Sequence, residues 1–201
     1  MMKKKVLSVC LFLTPFAQAT TSSDIYAGFE LFGGQRHINE DVNNAFLTDN
    51  LDRMNGIRLH SGYYLSEQLR AYGYIQRNVT IENTLLDSTG GQTLKYSGYQ
   101  LGAGMDYRYS LTANLYGYLG VELGVLSNKI RYTALNKTHT DSRTTLVLGS
   151  KIGLGYQFTE TWTVEGGLKI DRPSSDTLHV DNKSVHIRHG SAIFATINYR
   201  F

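Results

Sequence analysis

Residues 192–201, AIFATINYRF, decide the fold, because apolar and polar side chains alternate there up to the end of the chain. Successive side chains of a β-strand point to opposite faces of the sheet. One parity of this stretch is apolar and the other is largely polar. The apolar residues are Ile193, Ala195, Ile197, Tyr199 and Phe201. The stretch therefore predicts a final strand with one apolar face that carries aromatic rings at its tip.

The start of the chain has the three parts of a secretory signal peptide. Three lysines at 3–5 precede a short apolar run at 6–16, and Ala-Gln-Ala at 17–19 is a small-x-small cleavage site. The apolar run is too short to span a bilayer as a helix, which needs about 20 residues. We expect residues 1–19 to be removed and residues 20–201 to form one domain.

Removal of the signal peptide changes what the charge balance means. The chain has 20 Lys and Arg residues and 17 Asp and Glu residues, but three of the lysines lie in the signal, which leaves 17 of each sign. The excess of basic residues in the full chain therefore comes from the signal peptide, and it predicts no nucleic-acid partner. The single cysteine, Cys10, also lies in the signal, and Val9 before it is too large for a lipoprotein signal. No disulfide is predicted in the remaining chain.

Eight alternating segments follow the signal, and no helical pattern of any length occurs. They are rich in glycine and tyrosine, of which the chain has 20 and 14. Proline is nearly absent, which suits strands that donate every ladder hydrogen bond. The predicted strands are residues 24–34, 56–65, 69–78, 96–109, 115–127, 144–158, 162–171 and 185–201.

The connections between these segments alternate in length. Those after the second, fourth and sixth segments are short: residues 66–68, 110–114 and 159–161. Those after the first, third, fifth and seventh are long and polar: residues 35–55, 79–95, 128–143 and 172–184. Short turns on one side and long loops on the other are typical of a transmembrane β-barrel, with turns in the periplasm and loops outside.

Alternation alone does not decide which face points inward, because a soluble barrel such as a lipocalin has its apolar residues inside. Three features favour the membrane arrangement: charges mixed with glycines on the polar stripes, apolar stripes free of charge in mid-strand, and aromatic residues at their ends. An open sheet is excluded in hydrocarbon, where each unpaired backbone group costs several kcal/mol. The sequence therefore predicts an all-β fold, an eight-stranded antiparallel up-and-down transmembrane β-barrel.

Eight strands enclose a lumen that side chains fill, and charges taken out of water need partners. The strand register places seven charged residues inside. We predict that they form a structural ion-pair network, with a gated proton or ion path as the functional alternative: Glu30, Arg58, Arg70, Glu122, Lys151, Glu165 and Lys169.

Aromatic residues flank the three short turns. Tyr and Trp rings favour the interface between membrane and water, so these residues predict an aromatic belt on the turn side of the barrel. The belt consists of Tyr64, Tyr107, Tyr109, Tyr156, Phe158 and Trp162.

The strand count, the loop asymmetry, the lumenal charges and the terminal Tyr199-Arg200-Phe201 resemble the small eight-stranded outer-membrane proteins typified by OmpX, Ail and the transmembrane part of OmpA. The chain also resembles accessory colonisation factors of similar size. The resemblance implies a monomer in the Gram-negative outer membrane, in contact with membrane lipid and lipopolysaccharide. It also implies that Ile197, Tyr199 and Phe201 form the C-terminal signal read by the barrel assembly machinery.

The resemblance further implies that the four long loops carry the function, in adhesion, colonisation or serum resistance, through a host-surface or extracellular ligand. A small-solute or ion channel is an alternative of a different class. A lipid A-modifying enzyme is a third, because His189 and Ser191 share the lipid-facing side and resemble the His-x-Ser element of outer-membrane lipid A deacylases. No Asp or Glu follows Ser191 to orient the histidine, so the sequence predicts no catalytic site. It predicts no metal or cofactor either.

Overall fold

A computed structural model of the chain describes residues 24–40, 53–87, 90–134, 137–174, 177–180 and 183–201. The predicted signal peptide lies outside the described residues. Within the described part, no helix is long and apolar enough to cross a membrane. Strands occupy nearly all of this part: β1 (Ile25–Glu40), β2 (Arg53–Tyr64), β3 (Leu69–Asp87), β4 (Gly90–Ser110), β5 (Leu115–Ala134), β6 (Lys137–Gln157), β7 (Trp162–Pro173), β8 (Thr177–Val180) and β9 (Lys183–Arg200).

The sheet closes on itself to form an antiparallel barrel. Each strand from β1 to β7 pairs with the next, β7 pairs with β9, and β9 returns to pair with β1. Among the described strands, β8 pairs with β9 alone and stands outside this ring of eight. At the seam, the amide of Phe201 donates to the carbonyl of Ile25 at 3.0 Å. The predicted eight-stranded antiparallel barrel is confirmed.

The apolar stripes point outward and the polar stripes point into the lumen. Leu101 and Ile193 are each 66% exposed, whereas Glu30 and Arg58 are 2% and 1% exposed. Apolar surface left in water forgoes roughly 25 cal/mol per Å² of stabilisation. Hydrocarbon around the barrel removes this cost, because the outer side chains then contact an apolar solvent. The arrangement is that of a membrane barrel and is the reverse of a lipocalin.

Tyrosines and glycines face each other across neighbouring strands on the inner wall. The four pairs are Tyr72–Gly104, Tyr74–Gly102, Tyr116–Gly155 and Tyr118–Gly153. A Cβ atom at Gly104 would lie 2.5 Å from the hydroxyl oxygen of Tyr72. The glycines therefore provide the space that the tyrosine rings fill, which explains why the chain is rich in both residue types. The same pairs place the tyrosines of β3 inside, as the register predicts.

The three short turns share one hydrogen-bonding arrangement. The hydroxyl group of the second turn residue accepts a hydrogen bond from the backbone amide of the first residue of the next strand. Ser and Thr side chains typically make such local bonds in turns. The bonds are Leu69 N to Ser66 Oγ at 3.0 Å, Leu115 N to Thr112 Oγ1 at 3.0 Å, and Trp162 N to Thr159 Oγ1 at 2.9 Å. These turns lie where the sequence predicts them.

Two of the connections predicted as long polar loops are instead β-hairpins. β3 continues to Asp87 and β4 begins at Gly90. In the same way, β5 continues to Ala134 and β6 begins at Lys137. β4 and β5 stay paired as far as Gln92 opposite Ala134. We call this extension the β3–β6 wall (residues 79–87, 90–97, 128–134 and 137–143). The loop prediction was wrong there because apolar alternation stops where the hydrocarbon stops, whereas backbone pairing does not depend on it.

The other two long connections are shorter than predicted. β1 extends to Glu40 and β2 begins at Arg53, so that residues 41–52, which lie outside the described residues, separate them. The last connection contains β8, which forms a short hairpin with the start of β9, Thr177 lying opposite His186. The loop side of the barrel is therefore built largely from extended strands.

Candidate functional site

The seven charged residues predicted for the lumen all point inward, and none is more than 7% exposed. Six strands contribute them, so the network crosses the barrel instead of following one strand. They are Glu30 of β1, Arg58 of β2, Arg70 of β3, Glu122 of β5, Lys151 of β6, and Glu165 and Lys169 of β7.

Arg58 organises the half of the network nearer the loops. Its Nη1 donates to Glu122 Oε1 at 2.6 Å, and its Nε and Nη2 both donate to Gln76 Oε1, at 3.1 and 2.8 Å. Lys169 Nζ donates to Glu30 Oε1 at 2.8 Å, and this oxygen lies 3.6 Å from Arg58 Nε. The guanidinium fork thus contacts acceptors from three other strands at once.

Arg70 organises the half nearer the turns. Its Nη1 and Nη2 donate to the two carboxylate oxygens of Glu165 at 2.6 and 2.8 Å, and its Nε donates to Asp106 Oδ2 at 2.8 Å. The hydroxyl of Tyr116 donates to Glu165 Oε1 at 2.6 Å. Two-point pairing between a guanidinium and a carboxylate fixes the orientation of both groups as well as their distance.

Asp106 was missing from the predicted network, although it is fully buried and contacts two cations. Its Oδ2 lies 2.7 Å from Arg70 Nη2 and 3.1 Å from Lys151 Nζ. Lys151 also lies 3.8 Å from Glu122, so it links the two halves. With Asp106, the network contains four cations and four carboxylates. The signal was available, because Asp106 shares its parity with the inward glycines of β4.

Side chains leave little free space in the lumen. At the loop side, a cavity of about 20 Å³ is bounded by Gln76, Asn78 and Asp171. Asp171 is a second buried carboxylate that the predicted network lacked, and its Oδ1 has no hydrogen-bond partner among the described residues. At the turn side, a cavity of about 10 Å³ lies beside Arg108. A water molecule needs roughly 10–15 Å³, so each cavity has room for about one.

Five of the six predicted interface aromatics lie on the outer face near the short turns, between 38% and 62% exposed: Tyr107, Tyr109, Tyr156, Phe158 and Trp162. Tyr64 is the exception. It is 8% exposed, and its ring lies in the lumen with its centroid 5.1 Å from that of Tyr26. Its assignment to the belt was wrong, because its neighbour Tyr63 occupies the outward parity of β2.

The residues of the predicted assembly signal lie on the outer face at the seam of the barrel. Ile197 and Phe201 are 41% and 58% exposed. Tyr199 bridges two rings, with its centroid 4.9 Å from that of Trp162 and 5.1 Å from that of Phe201. The last strand and β7 therefore share one aromatic cluster on the turn side. Recognition of these residues by the assembly machinery stays a prediction.

His189 and Ser191 are both exposed on the outer face of β9. A nucleophilic triad also needs a carboxylate beside the histidine. At the outward strand positions whose side chains the structure describes, no Asp or Glu occurs. Among the described residues, no group of three or more His, Cys, Asp and Glu side chains has an arrangement that could hold a metal ion.

A family model described as the outer membrane protein beta-barrel domain matches residues 6–201. The chain belongs to this family. Membership implies an outer-membrane location, in which the exposed apolar stripes of the barrel contact lipid. No curated protein matches the chain in sequence.

Solved structures of small outer-membrane barrels are similar in fold to this family member. Neisserial surface protein A has a TM-score of 0.58 at 18% identity, over 92% of this chain and 100% of that one. OprG from Pseudomonas aeruginosa has a TM-score of 0.61 at 9% identity, over 89% and 96%. Ail from Yersinia pestis has a TM-score of 0.55 at 15% identity, over 89% and 99%. At these identities the likeness concerns the fold alone.

Proposed function

We propose that this family member is a monomeric anchor in the Gram-negative outer membrane that presents its loop-side segments to a host or other extracellular surface. In this proposal a cleaved signal peptide directs export, and the barrel assembly machinery inserts the chain. The filled lumen is the observation that supports it. The four cations and four carboxylates of the buried network, together with the inward tyrosines, occupy the space that a channel needs.

The β3–β6 wall supports binding to an extended protein segment. β3 pairs with β2 no further than Asn78, and β6 pairs with β7 only from Val147 onward. In the described part of the chain, the outer lengths of β3 and β6 therefore each have one free backbone edge. Such edges can pair with a strand from another chain, in which main-chain hydrogen bonds provide affinity.

A shortened variant tests this proposal. Residues 82–95 and 130–141 are removed, and Asn-Gly turns join Ile81 to Tyr96 and Lys129 to Ser142. Each of these pairs is opposite in register, so a two-residue turn can close it. We expect cells with the shortened variant to lose attachment to host cells and serum survival at an unchanged amount of folded barrel.

The matched control changes the opposite rim, with Glu67→Gln and Glu160→Gln in the short turns. These substitutions remove two exposed charges and leave the wall intact, so attachment should equal that of the unmodified protein. Attachment that survives removal of the wall would contradict the proposal.

Conductance distinguishes the channel alternative. We expect planar bilayers that contain the purified barrel to remain silent, because the cavities at the two ends each have room for about one water. A steady conductance that disappears with Glu122→Gln would favour a channel over an anchor.

A further inference from the structure

Arg108 is a lumenal cation without a carboxylate partner among the described residues. It lies in β4 two residues after Asp106 and shares its inward parity. Each cation of the buried network lies between 2.6 and 3.1 Å from a carboxylate oxygen, whereas Arg108 forms no ion pair with a described residue. Its guanidinium carbon instead lies 3.9 Å from the ring centroid of Tyr116 and 5.2 Å from that of Tyr64. These rings hold the charge at the turn side of the lumen but do not neutralise it.

Three buried polar atoms without a hydrogen-bond partner among the described residues belong to side chains that line the turn-side cavity of about 10 Å³. They are Tyr26 Oη, Asn198 Nδ2 and Arg108 Nε. Tyr26 and Asn198 are 1% and 2% exposed. His60 Nε2 lies 2.8 Å from Asn198 Oδ1, so the amide oxygen has a partner and the amide nitrogen is left for the cavity. Buried polar atoms are nearly always hydrogen-bonded, so three of them around one cavity indicate a ligand site.

The chemistry of these three atoms suits an anion better than a water molecule. The guanidinium and amide nitrogens can only donate hydrogen bonds, and the hydroxyl of Tyr26 can donate as well. A water molecule has two lone pairs, so it cannot accept from all three donors, and it leaves the charge of Arg108 unbalanced. A monatomic anion accepts from all three and neutralises that charge. A chloride ion is only slightly larger than a water molecule, whereas phosphate and sulfate are too large for this cavity.

The charged residues around the cavity also favour an anion. Arg200 is a second cation in the wall, and Glu160 is the one carboxylate among the described residues that line it. Glu160 is exposed in the turn, and its backbone carbonyl, not its carboxylate, accepts a hydrogen bond from Gln157 Nε2 at 3.4 Å. Asp24 Oδ1 lies 3.4 Å from Arg200 Nη2, but these side chains are 29% and 41% exposed, so water screens the pair. The charge of Arg108 is therefore the one that a ligand balances.

We propose that the turn-side cavity binds one chloride ion, held by Arg108, Asn198 and Tyr26. The ion accepts hydrogen bonds from residues of β4, β9 and β1, so it links three strands at the turn-side end of the lumen. It also completes the charge balance of the lumen there, because an uncompensated buried charge destabilises a folded protein. The site does not depend on the proposed role of the loop-side segments.

Bromide is the probe for a crystallographic test, because it replaces chloride and scatters X-rays anomalously. Crystals of the full barrel in detergent, soaked in sodium bromide, should show one anomalous peak in the cavity. Arg108→Met should abolish the peak. Asn198→Asp should abolish it too, because its carboxylate pairs with Arg108 and still offers His60 an oxygen, so this variant serves if Arg108→Met does not fold. Absence of the peak in the unmodified protein, or a Glu160 carboxylate in the cavity instead, would overturn the proposal.

Urea unfolding of the full barrel in lipid vesicles tests the site in solution, as sodium chloride replaces sodium gluconate at constant ionic strength. Gluconate is too large for the cavity. At a chloride concentration ten times the dissociation constant, the unfolding equilibrium constant should be about tenfold lower than in gluconate. Asn198→Asp should lose this difference, and the control Arg131→Met, on the outer face of β5, should keep it. Equal stability of the unmodified protein in the two salts, or a chloride effect that persists in Asn198→Asp, would overturn the proposal.

Discussion

Arg70 and Glu165, which are 95 residues apart in the chain, form a two-point ion pair inside the barrel, with N–O distances of 2.6 and 2.8 Å. They belong to β3 and β7, which are not neighbours in the sheet. The pair therefore connects distant walls of the barrel through its interior. Because both side chains are buried, salt screens this interaction less than it screens a surface pair.

Replacement of Arg70 by methionine should destabilise the barrel strongly. The change leaves the carboxylates of Glu165 and Asp106 buried without their shared cation, and removal of one partner of a buried pair costs roughly 3–5 kcal/mol. Urea unfolding in lipid vesicles measures the loss. Arg70→Met combined with Glu165→Gln should recover part of it. A loss below about 1 kcal/mol, the range of an exposed pair, would contradict this assignment.

Arg58→Lys should also destabilise the barrel, although it keeps the charge. A lysine cannot reach Glu122 and Gln76 with a planar fork, so at least one of the present hydrogen bonds is lost. We expect a cost of about 1–3 kcal/mol in the same unfolding experiment. Arg131→Lys on the outer face of β5 is the control, and its effect should lie within about 0.5 kcal/mol. Equal stability of the two variants would show that charge alone matters at position 58.

Gly104→Ala tests the packing of tyrosine on glycine. Its Cβ would lie 2.5 Å from the Tyr72 hydroxyl oxygen, and overpacking of this kind costs about 1–3 kcal/mol. Gly117→Ala, on the outer face with open space above it, is the matched control and should be nearly neutral. A second substitution, Tyr72→Ala, should make the cost of Gly104→Ala smaller, since residues in contact are not additive. Additive costs would argue against direct contact.

Phe201→Ala tests the terminal aromatic as an assembly signal. The ring stands at the end of a cluster with Tyr199 and Trp162, so in vitro stability should fall by about 0.5–1.5 kcal/mol, the worth of one aromatic contact. The yield of folded barrel in cells should fall much further, because assembly would fail before stability limits it. Trp162→Ala has a comparable packing loss and is the control. Equal yields from the two variants would argue against a signal at Phe201.

The inward placement of the charged residues could be predicted from the sequence, because each stripe is defined by a period of two that needs no knowledge of neighbouring strands. Asp106 obeys the same rule, although the predicted network does not include it. Tyr64 lies beside a turn, which predicts a place in the aromatic belt, but its parity in β2 places it in the lumen. Partners such as Arg70 with Glu165 lay beyond the sequence argument, because pairing across the lumen depends on the stagger of all eight strands.

The alternating pattern, the charges and glycines on its polar stripes and the aromatic residues at the ends of its apolar stripes together determined that this chain is a closed barrel with an apolar outside. An open sheet is excluded because unpaired backbone groups are too costly in hydrocarbon. Only the tertiary structure decided where the strands end and which charges meet. Strand pairing continues into water, where no apolar stripe marks it, and it produced the β3–β6 wall.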